Sequence, residues 1–237
     1  MKIIGIDSSG LVASAAVVED EILRAEYTVC YQKTHSQTLM PMLEEICSMI
    51  GLDLETVDAI AVAKGPGSFT GLRIGSATAK GLGLALQKPL IGVPTVDALA
   101  WNLFGNQDVI CPMMDARRNQ VYTGLYTFFG DEFRILSKQK PVSVQEIAEE
   151  VNRIGRKAVF LGDGVPVYRE QLEKYVQVPH YYAPAGMNRQ RAACVAALGE
   201  RYFLEGRVES AVEHRPEYLR LSQAERERAE REKQDSM

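Results

Sequence analysis

Ile3-Ile4-Gly5-Ile6-Asp7-Ser8-Ser9-Gly10 decides the reading of the fold, because the chain repeats its pattern. An apolar run ends in an acid and a polar turn, and a second apolar stretch follows over residues 12–18. Residues 109–114 are again apolar and end in Asp115, 108 positions after Asp7. The turn Ala116-Arg117-Arg118-Asn119-Gln120 then leads into a strand-like run over 121–128. Short apolar runs bounded by turn residues read as paired strands. Each hairpin precedes a third short strand (22–29; 133–136), then a helical pattern (35–50; 144–154) and a short β-like run (59–63; 158–161). A glycine turn comes next (Gly65-Pro66-Gly67; Gly162-Asp163-Gly164) and then another helix, in the second half over 166–175. The order strand-strand-strand-helix-strand-helix, found twice, predicts a duplicated α/β chain whose two mixed-sheet halves, with flanking helices, meet at a cleft. The turn-rich Gly105-Asn106-Gln107-Asp108 places the boundary, giving an N-terminal half over 1–104 and a C-terminal half over 105–221. A last long helix is predicted over 187–204, crossing back onto the first half.

Composition narrows the class. The 237 residues are 46% hydrophobic and 24% charged, with a net charge of −4. That is an ordinary globular mix, which excludes disorder, collagen and coiled coil for the whole chain. The negative balance gives no global attraction for nucleic acid, so any RNA contact has to be local or through a partner. No run approaches the roughly 18 uninterrupted apolar residues of a membrane span, and Asp7 interrupts the start where a signal peptide needs apolar length. The expectation is a cytoplasmic protein with no membrane partner, its four scattered cysteines (Cys30, Cys47, Cys111, Cys194) reduced and buried. Residues 222–237 form a charged tail, whose stretch 223–235 has nothing large and apolar to bury, and no function is assigned to it.

Lys64-Gly65-Pro66-Gly67-Ser68-Phe69-Thr70-Gly71-Leu72-Arg73 follows a strand and opens a helix. Glycines there bring backbone N–H groups near a helix N-terminus, where an anion is favoured. They would equally let a loop fit a helix tightly to a sheet, and the Gly-Lys-Ser/Thr ending of a Walker loop is absent. In the helix that follows, Gly71, Gly75, Ala79 and Gly83 share one stripe, flanked by Leu72 and Leu82. Glycine in a helix interior costs about 1 kcal/mol relative to alanine, so close approach by another helix is expected on that stripe. The helix over 35–50 has a wide apolar arc that includes Leu39, Met42, Leu43, Ile46 and Met49. Two helices this apolar either pack on each other and the sheet or are covered by a partner, and the width of the arc favours the partner.

Candidates for chemistry are scarce. His35, His180 and His214 share no ligand spacing with each other or with a cysteine, so a metal site made by this chain is not expected. Gly-x-Ser-x-Gly is absent, and Cys111 lies in an apolar run as a buried small hydrophobe. His35 reads as capping or interface structure. Asp7 suits either a turn or an ion-binding role, while Asp115 has Arg117 and Arg118 close enough to pair with it.

Together, Ile4-Gly5-Ile6-Asp7-Ser8-Ser9, Thr34-His35-Ser36-Gln37-Thr38-Leu39-Met40-Pro41, the long glycine motif, Met114-Asp115-Ala116-Arg117-Arg118 with Tyr122, and Pro216-Glu217-Tyr218-Leu219-Arg220 closely resemble the bacterial TsaB (YeaZ) family. The resemblance spans residues 1 to about 220. It implies a duplicated actin-like ATPase (RNase H-like) fold and a part in making threonylcarbamoyladenosine on the tRNA adenosine just 3′ of the anticodon. It implies a non-catalytic partner of the TsaD-like transferase, joined by a TsaE-like ATPase. ATP and metal would then belong to those partners, and no cofactor would be required by this chain. It also implies a homodimer when the chain is alone, with tRNA reached indirectly through the complex. The partner-binding residues would be Leu39, Met42, Leu43, Ile46, Met49, Gly71, Leu72, Gly75, Ala79, Leu82 and Gly83. A vestigial nucleotide site would comprise Asp7, Ser8, Ser9, Gly65 and Gly67.

The resemblance departs from the catalytic relative at one place. TsaD-like sequences carry a histidine-rich metal motif after the strand that follows the glycine-loop helix. Here the segment reads Val93-Pro94-Thr95-Val96-Asp97-Ala98-Leu99, and one carboxylate does not replace a pair of imidazoles on a transition metal. Two rivals remain: an ATP-dependent enzyme built on Asp7, the serine turn and the glycine loop, and a peptidase, which would need an assembled nucleophile–base pair.

Overall fold

The computed structural model describes residues 1–31 and 35–220, so the charged tail lies outside the described residues. The first half runs β1 (Lys2–Asp7), β2 (Val12–Glu19), β3 (Ile22–Cys30), α1 (His35–Ile50), β4 (Ala59–Gly65), α2 (Phe69–Leu86), β5 (Leu90–Pro94) and α3 (Thr95–Trp101). The second repeats it with β6 (Val109–Asp115), β7 (Gln120–Phe129), β8 (Glu132–Ser143), α4 (Val144–Ile154), β9 (Ala158–Leu161), α5 (Gly164–Tyr175), β10 (His180–Tyr182) and α6 (Ala192–Leu204). The two sheets have corresponding orders, β3-β2-β1-β4-β5 and β8-β7-β6-β9-β10. In each, an antiparallel hairpin joins a parallel pair, as in Ile3↔Val18 beside Ile4↔Ile60 and Met114↔Tyr122 beside Cys111↔Phe160. This is the expected mixed sheet, twice.

Alternation along the strands gives each sheet two apolar faces. Ile4, Ile6, Ile60 and Val62 meet Leu39, Leu43, Ile46 and Ala79 under α1 and α2. Cys111, Met113 and Phe160 meet Ile147, Val151 and Leu172 under α4 and α5. The remaining faces enclose one shared core that holds α3 and α6. Each of these two helices closes one half and packs on the sheet of the other. Trp101 of α3 meets Phe128 of β7 edge-on at 5.4 Å, and Tyr126 of β7 donates to Asp97 of α3 at 2.7 Å. Helix α6 lies so close to the first sheet that a Cβ on Gly5 would collide with Ala192 O, and one on Gly199 would stand 2.6 Å from Ala61 Cβ.

Several sequence expectations need correction. The last helix begins at Ala192 rather than at 187, because the preceding backbone is bonded elsewhere: Asn102 Nδ2 donates to the carbonyls of Met187 and Arg189, and Gly162 N–H donates to Asn188 O. Helix α3 and strand β10 add to the expected elements, and β8 extends well beyond 133–136. Of the four thiols only Cys111 and Cys194 are buried; Cys30 is exposed and Cys47 half-buried. Beyond α6 the chain forms a strap over 207–220 that packs on the first half. Glu209 pairs with Leu90 of β5, Lys80 Nζ donates to His214 O at 3.1 Å, and Glu217 N–H donates to Lys64 O at 2.6 Å. The boundary at 105 groups α6 and this strap with the second half by sequence, while α6 crosses back onto the first sheet as expected.

Replacing Gly199 by valine should force α6 off β4 at a cost of about 1–3 kcal/mol. Calorimetry should show the melting temperature falling by several degrees, whereas Gly186→Ala, where an added Cβ meets nothing within 4 Å, should leave it unchanged.

Candidate functional site

The two hairpin turns that repeat in the sequence face each other across a cleft of about 440 Å³. Ser9, Gly10, Leu11, Gly67, Ser68 and Phe69 line it from the first half, and Asp115, Arg117, Tyr122, Asp163 and Val167 from the second. Tyr218, Leu219 and Arg220 of the strap complete the wall. This lies at the carboxyl ends of β1, β4, β6 and β9, where an open α/β sheet places its ligand crevice.

On the first side, Asp7 is 1% exposed. Its Oδ1 accepts the Ser9 N–H at 2.9 Å and the Ser9 hydroxyl at 2.6 Å, a turn closed by its own carboxylate. Burial pushes the Asp7 carboxyl up to about 6, against the opposing pull of the two Ser9 hydrogen bonds. The Ser8 hydroxyl donates to Gly71 O at 2.8 Å. His35, at the start of α1, sits with Nε2 2.8 Å from Gly10 O, which ties that helix to the hairpin.

The glycine loop takes the tight-fit role. Cβ atoms on Gly67 and Gly71 would collide with the carbonyls of Ser9 and Ser8, and Gly65, at φ +124°, makes room for Glu217 O. Ser68 caps α2 with its own side chain, accepting Gly71 N–H at 3.3 Å. Of the five residues expected at a nucleotide site, Ser9 and Gly67 line the cleft. Asp7, Ser8 and Gly65 serve the hairpin and the loop instead.

The same distances correct the expectation for the glycine stripe. Gly71 and Gly75 face the Ser8 turn, the latter with Ser8 Oγ 2.5 Å from where its Cβ would be, and Gly83 faces Leu90 and Ala211. Close approach is real, but the chain's own hairpin and sheet make it, not a second helix. Leu39, Met42, Leu43, Ile46, Leu72 and Ala79 are buried with them, so none of these is offered to a partner by the folded chain. Met49, at 78% exposure, is the outward member of the expected set, and Leu82 is half-buried.

The second hairpin is built differently. Arg117, Arg118 and Asn119 all have positive φ, near 62°, 54° and 59°. Three consecutive left-handed residues without a glycine cost about 1–3 kcal/mol each. The surroundings hold them: Asp115 Oδ1 accepts Arg117 N–H at 2.8 Å and the Tyr168 hydroxyl at 2.9 Å, and Gln171 donates to Asn119 at 2.9 Å. Arg117 pairs with Asp115 at 3.4 Å, as expected, while its side chain stays 84% exposed. Arg220 reaches over from the strap and donates to Ala116 O at 2.7 Å. The strap residues were legible only as a motif, and nothing in their pattern announced that they wall the cleft.

Other candidates fall to structural roles. Burial pushes the Cys111 thiol up to about 12, so it is no thiolate nucleophile. Among the described residues no hydrogen bond joins a serine or cysteine to a histidine, and no group of three His, Cys, Asp or Glu stands ready for a metal. No described helix is long and apolar enough to cross a membrane.

Two matching mixed sheets, with a cleft at their strand ends and helices on their outer faces, define the duplicated actin-like ATPase (RNase H-like) class. Comparison with known proteins carries the assignment further. A family model described as TsaD, tRNA N6-adenosine threonylcarbamoyltransferase, matches residues 29–228. The tRNA threonylcarbamoyladenosine biosynthesis protein TsaB of Bacillus subtilis is 31% identical over 227 residues, covering 95% of this chain and 96% of that one. Its Escherichia coli counterpart is 30% identical, covering 93% and 95%. The structure of YeaZ from Pseudomonas aeruginosa superposes with a TM-score of 0.77 at 25% identity, over 92% of this chain and 99% of that one. The chain belongs to the TsaB (YeaZ) family.

The raised Asp7 carboxyl has a testable sign. Its folded pKa lies above the unfolded value of 3.8, so the native state holds the extra proton and stability falls as pH rises from about 4 through about 6. Asp7→Asn, which keeps an acceptor for Ser9, should remove a penalty on the order of 3 kcal/mol at pH 8. Denaturant titrations of the variant and the parent should converge near pH 4 and separate above pH 6, the variant being the more stable.

Proposed function

We propose that this chain is the non-catalytic partner of a TsaD-like transferase in threonylcarbamoyladenosine modification of the tRNA adenosine 3′ of the anticodon. Its work is done through the outward face of α1 and α2. The carrying observation is that this face remains open after the inward stripe has been used. Helices α1 and α2 lie side by side on one face of the first sheet. Away from the sheet they present Met40, Met49 and Leu84, at 49%, 78% and 59% exposure, beside a second row of small residues, Ala77, Gly81 and Ala85. A Cβ on Gly81 would meet nothing within 4 Å. A helix can approach such a row closely, and methionines at its margin adapt to a partner's surface. The same face on a second copy accounts for a homodimer when the chain is alone.

The non-catalytic assignment is supported by the fate of the segment where the enzyme carries its metal motif. Thr95, Val96, Asp97, Ala98 and Leu99 are all buried between the sheets, and Asp97 is spent on the Tyr126 hydroxyl. Metal and ATP then belong to the transferase and to a TsaE-like ATPase in a cytoplasmic assembly. Docking acts on the transferase by favouring its competent state, which requires tighter binding to that state than to the other.

Gly81→Arg and Leu84→Glu should each weaken capture of the purified transferase about ten-fold or more, with the melting temperature of the chain held or raised, since arginine favours helix over glycine. Gly75→Leu should instead unfold the Ser8 contact. Unaltered capture by both outward variants, or tRNA modification at full rate from purified components without this chain, overturns the reading.

A further inference from the structure

We propose that the rim of the inter-half cleft is a direct RNA contact, in which arginines from both halves take phosphodiester groups and the Phe69–Tyr218 pair stacks on an unpaired base. The choice of RNA rests on the tRNA-modification role above, and the site is a different surface from the α1–α2 face. On one bank, the Arg73 guanidinium lies over the Phe69 ring at 4.1 Å, and that ring is 4.7 Å from Tyr218. Tyr218 keeps 40% of its surface exposed. Two residues on, Arg220 spends one N–H on Ala116 O and so stands pinned across the cleft with further donors of its guanidinium to offer. On the other bank, the left-handed run at the hairpin tip turns Arg117 and Arg118 out to solvent. Backbone strain kept without glycine at the edge of a cleft is a mark of a working surface.

An aromatic pair flanked by guanidinium groups is the arrangement that holds single-stranded nucleic acid, because every base has a face to stack and every linkage a charge to pair. The cavity floor speaks against a free polyphosphate. Asp115 and Asp163 line it, and Asp163 Oδ1 is buried with no donor. Carboxylates there repel a free polyphosphate, while Arg117 and Arg220 line the same cleft beside them and can take single phosphodiester charges. A ligand that meets separated arginines and the Phe69–Tyr218 pair together is a polynucleotide. With a net charge of −4, a local patch of this kind is the means by which the chain can touch RNA.

The test uses the assembly of this chain with its transferase and a labelled unmodified tRNA transcript, read by fluorescence anisotropy across a salt series. The double variant Arg117→Gln/Arg118→Gln should weaken tRNA binding about five-fold or more and flatten the salt slope by about one for each arginine lost, with assembly unchanged. Tyr218→Leu should weaken binding while leaving the slope as it is. Ultraviolet crosslinking of the same tRNA to the parent assembly, with peptide mapping, should recover the Tyr218 segment. Affinity and slope unchanged in an intact assembly, or crosslinks confined to the transferase, overturn the proposal. So does loss of a fluorescent ATP analogue from the isolated variant while tRNA binding stays intact, since the rim would then serve a mononucleotide.

Discussion

Everything in this molecule depends on an exchange: each half finishes with a helix that covers the other half's sheet. A sheet with two apolar faces needs two covers, and α1–α2 or α4–α5 supply one each. The second cover comes from α6 for the first sheet and α3 for the second, so the inner faces of both share one core. The fit is close because small residues line the crossing: Gly5, Ala61 and Gly199 let α6 rest directly on β1 and β4. Polar ties lock the angle, including Ser14 Oγ accepting Ala192 N–H at 2.9 Å and the paired Arg191 and Glu26. Holding the halves in this way fixes the distance between the two hairpin turns and therefore the shape of the cleft.

The two banks of that cleft have diverged in what they ask of the backbone. The Ser8-Ser9-Gly10 turn is drawn inward, its hydroxyls spent on Asp7 and Gly71, and α2 is notched with glycines to accept it. The matching turn of the second half is pushed outward and left-handed, with arginine where glycine would be easier. One bank has thus been converted into packing and the other into a charged edge. The strap then bridges them, with Glu217 on Lys64 and Arg220 on Ala116.

Much of the fold could be read from the sequence because a duplicated pattern checks itself: the same order of short apolar runs, turns and amphipathic stretches occurs twice, and each copy corroborates the other. Helix α3 escaped because all seven of its residues are buried, and a segment wetted on no side shows no period. The strap escaped because backbone bonds such as Glu217 N–H to Lys64 O hold it, and these leave no side-chain pattern. The glycine stripe was legible as a close approach but not as to what approaches, because periodicity tells which residues share a face and is silent about its cover. The outward row Ala77–Gly81–Ala85 has the same spacing, and spacing alone does not say which of the two rows the fold covers. Proximity in sequence makes Arg117 and Arg118 partners for Asp115, and the left-handed backbone that turns them outward has no signature in arginine.

The exchanged helices also set the tempo of biosynthesis. When the ribosome has finished β5, the face of the first sheet that carries Ile3, Ala61 and Val93 still has no cover, because α6 lies roughly a hundred residues downstream. At about 5–20 residues per second, that leaves an apolar surface bare for several seconds or more. Nascent chains should therefore engage ribosome-associated chaperones across the middle of translation, and slow codons between β6 and β10 would lengthen the exposure.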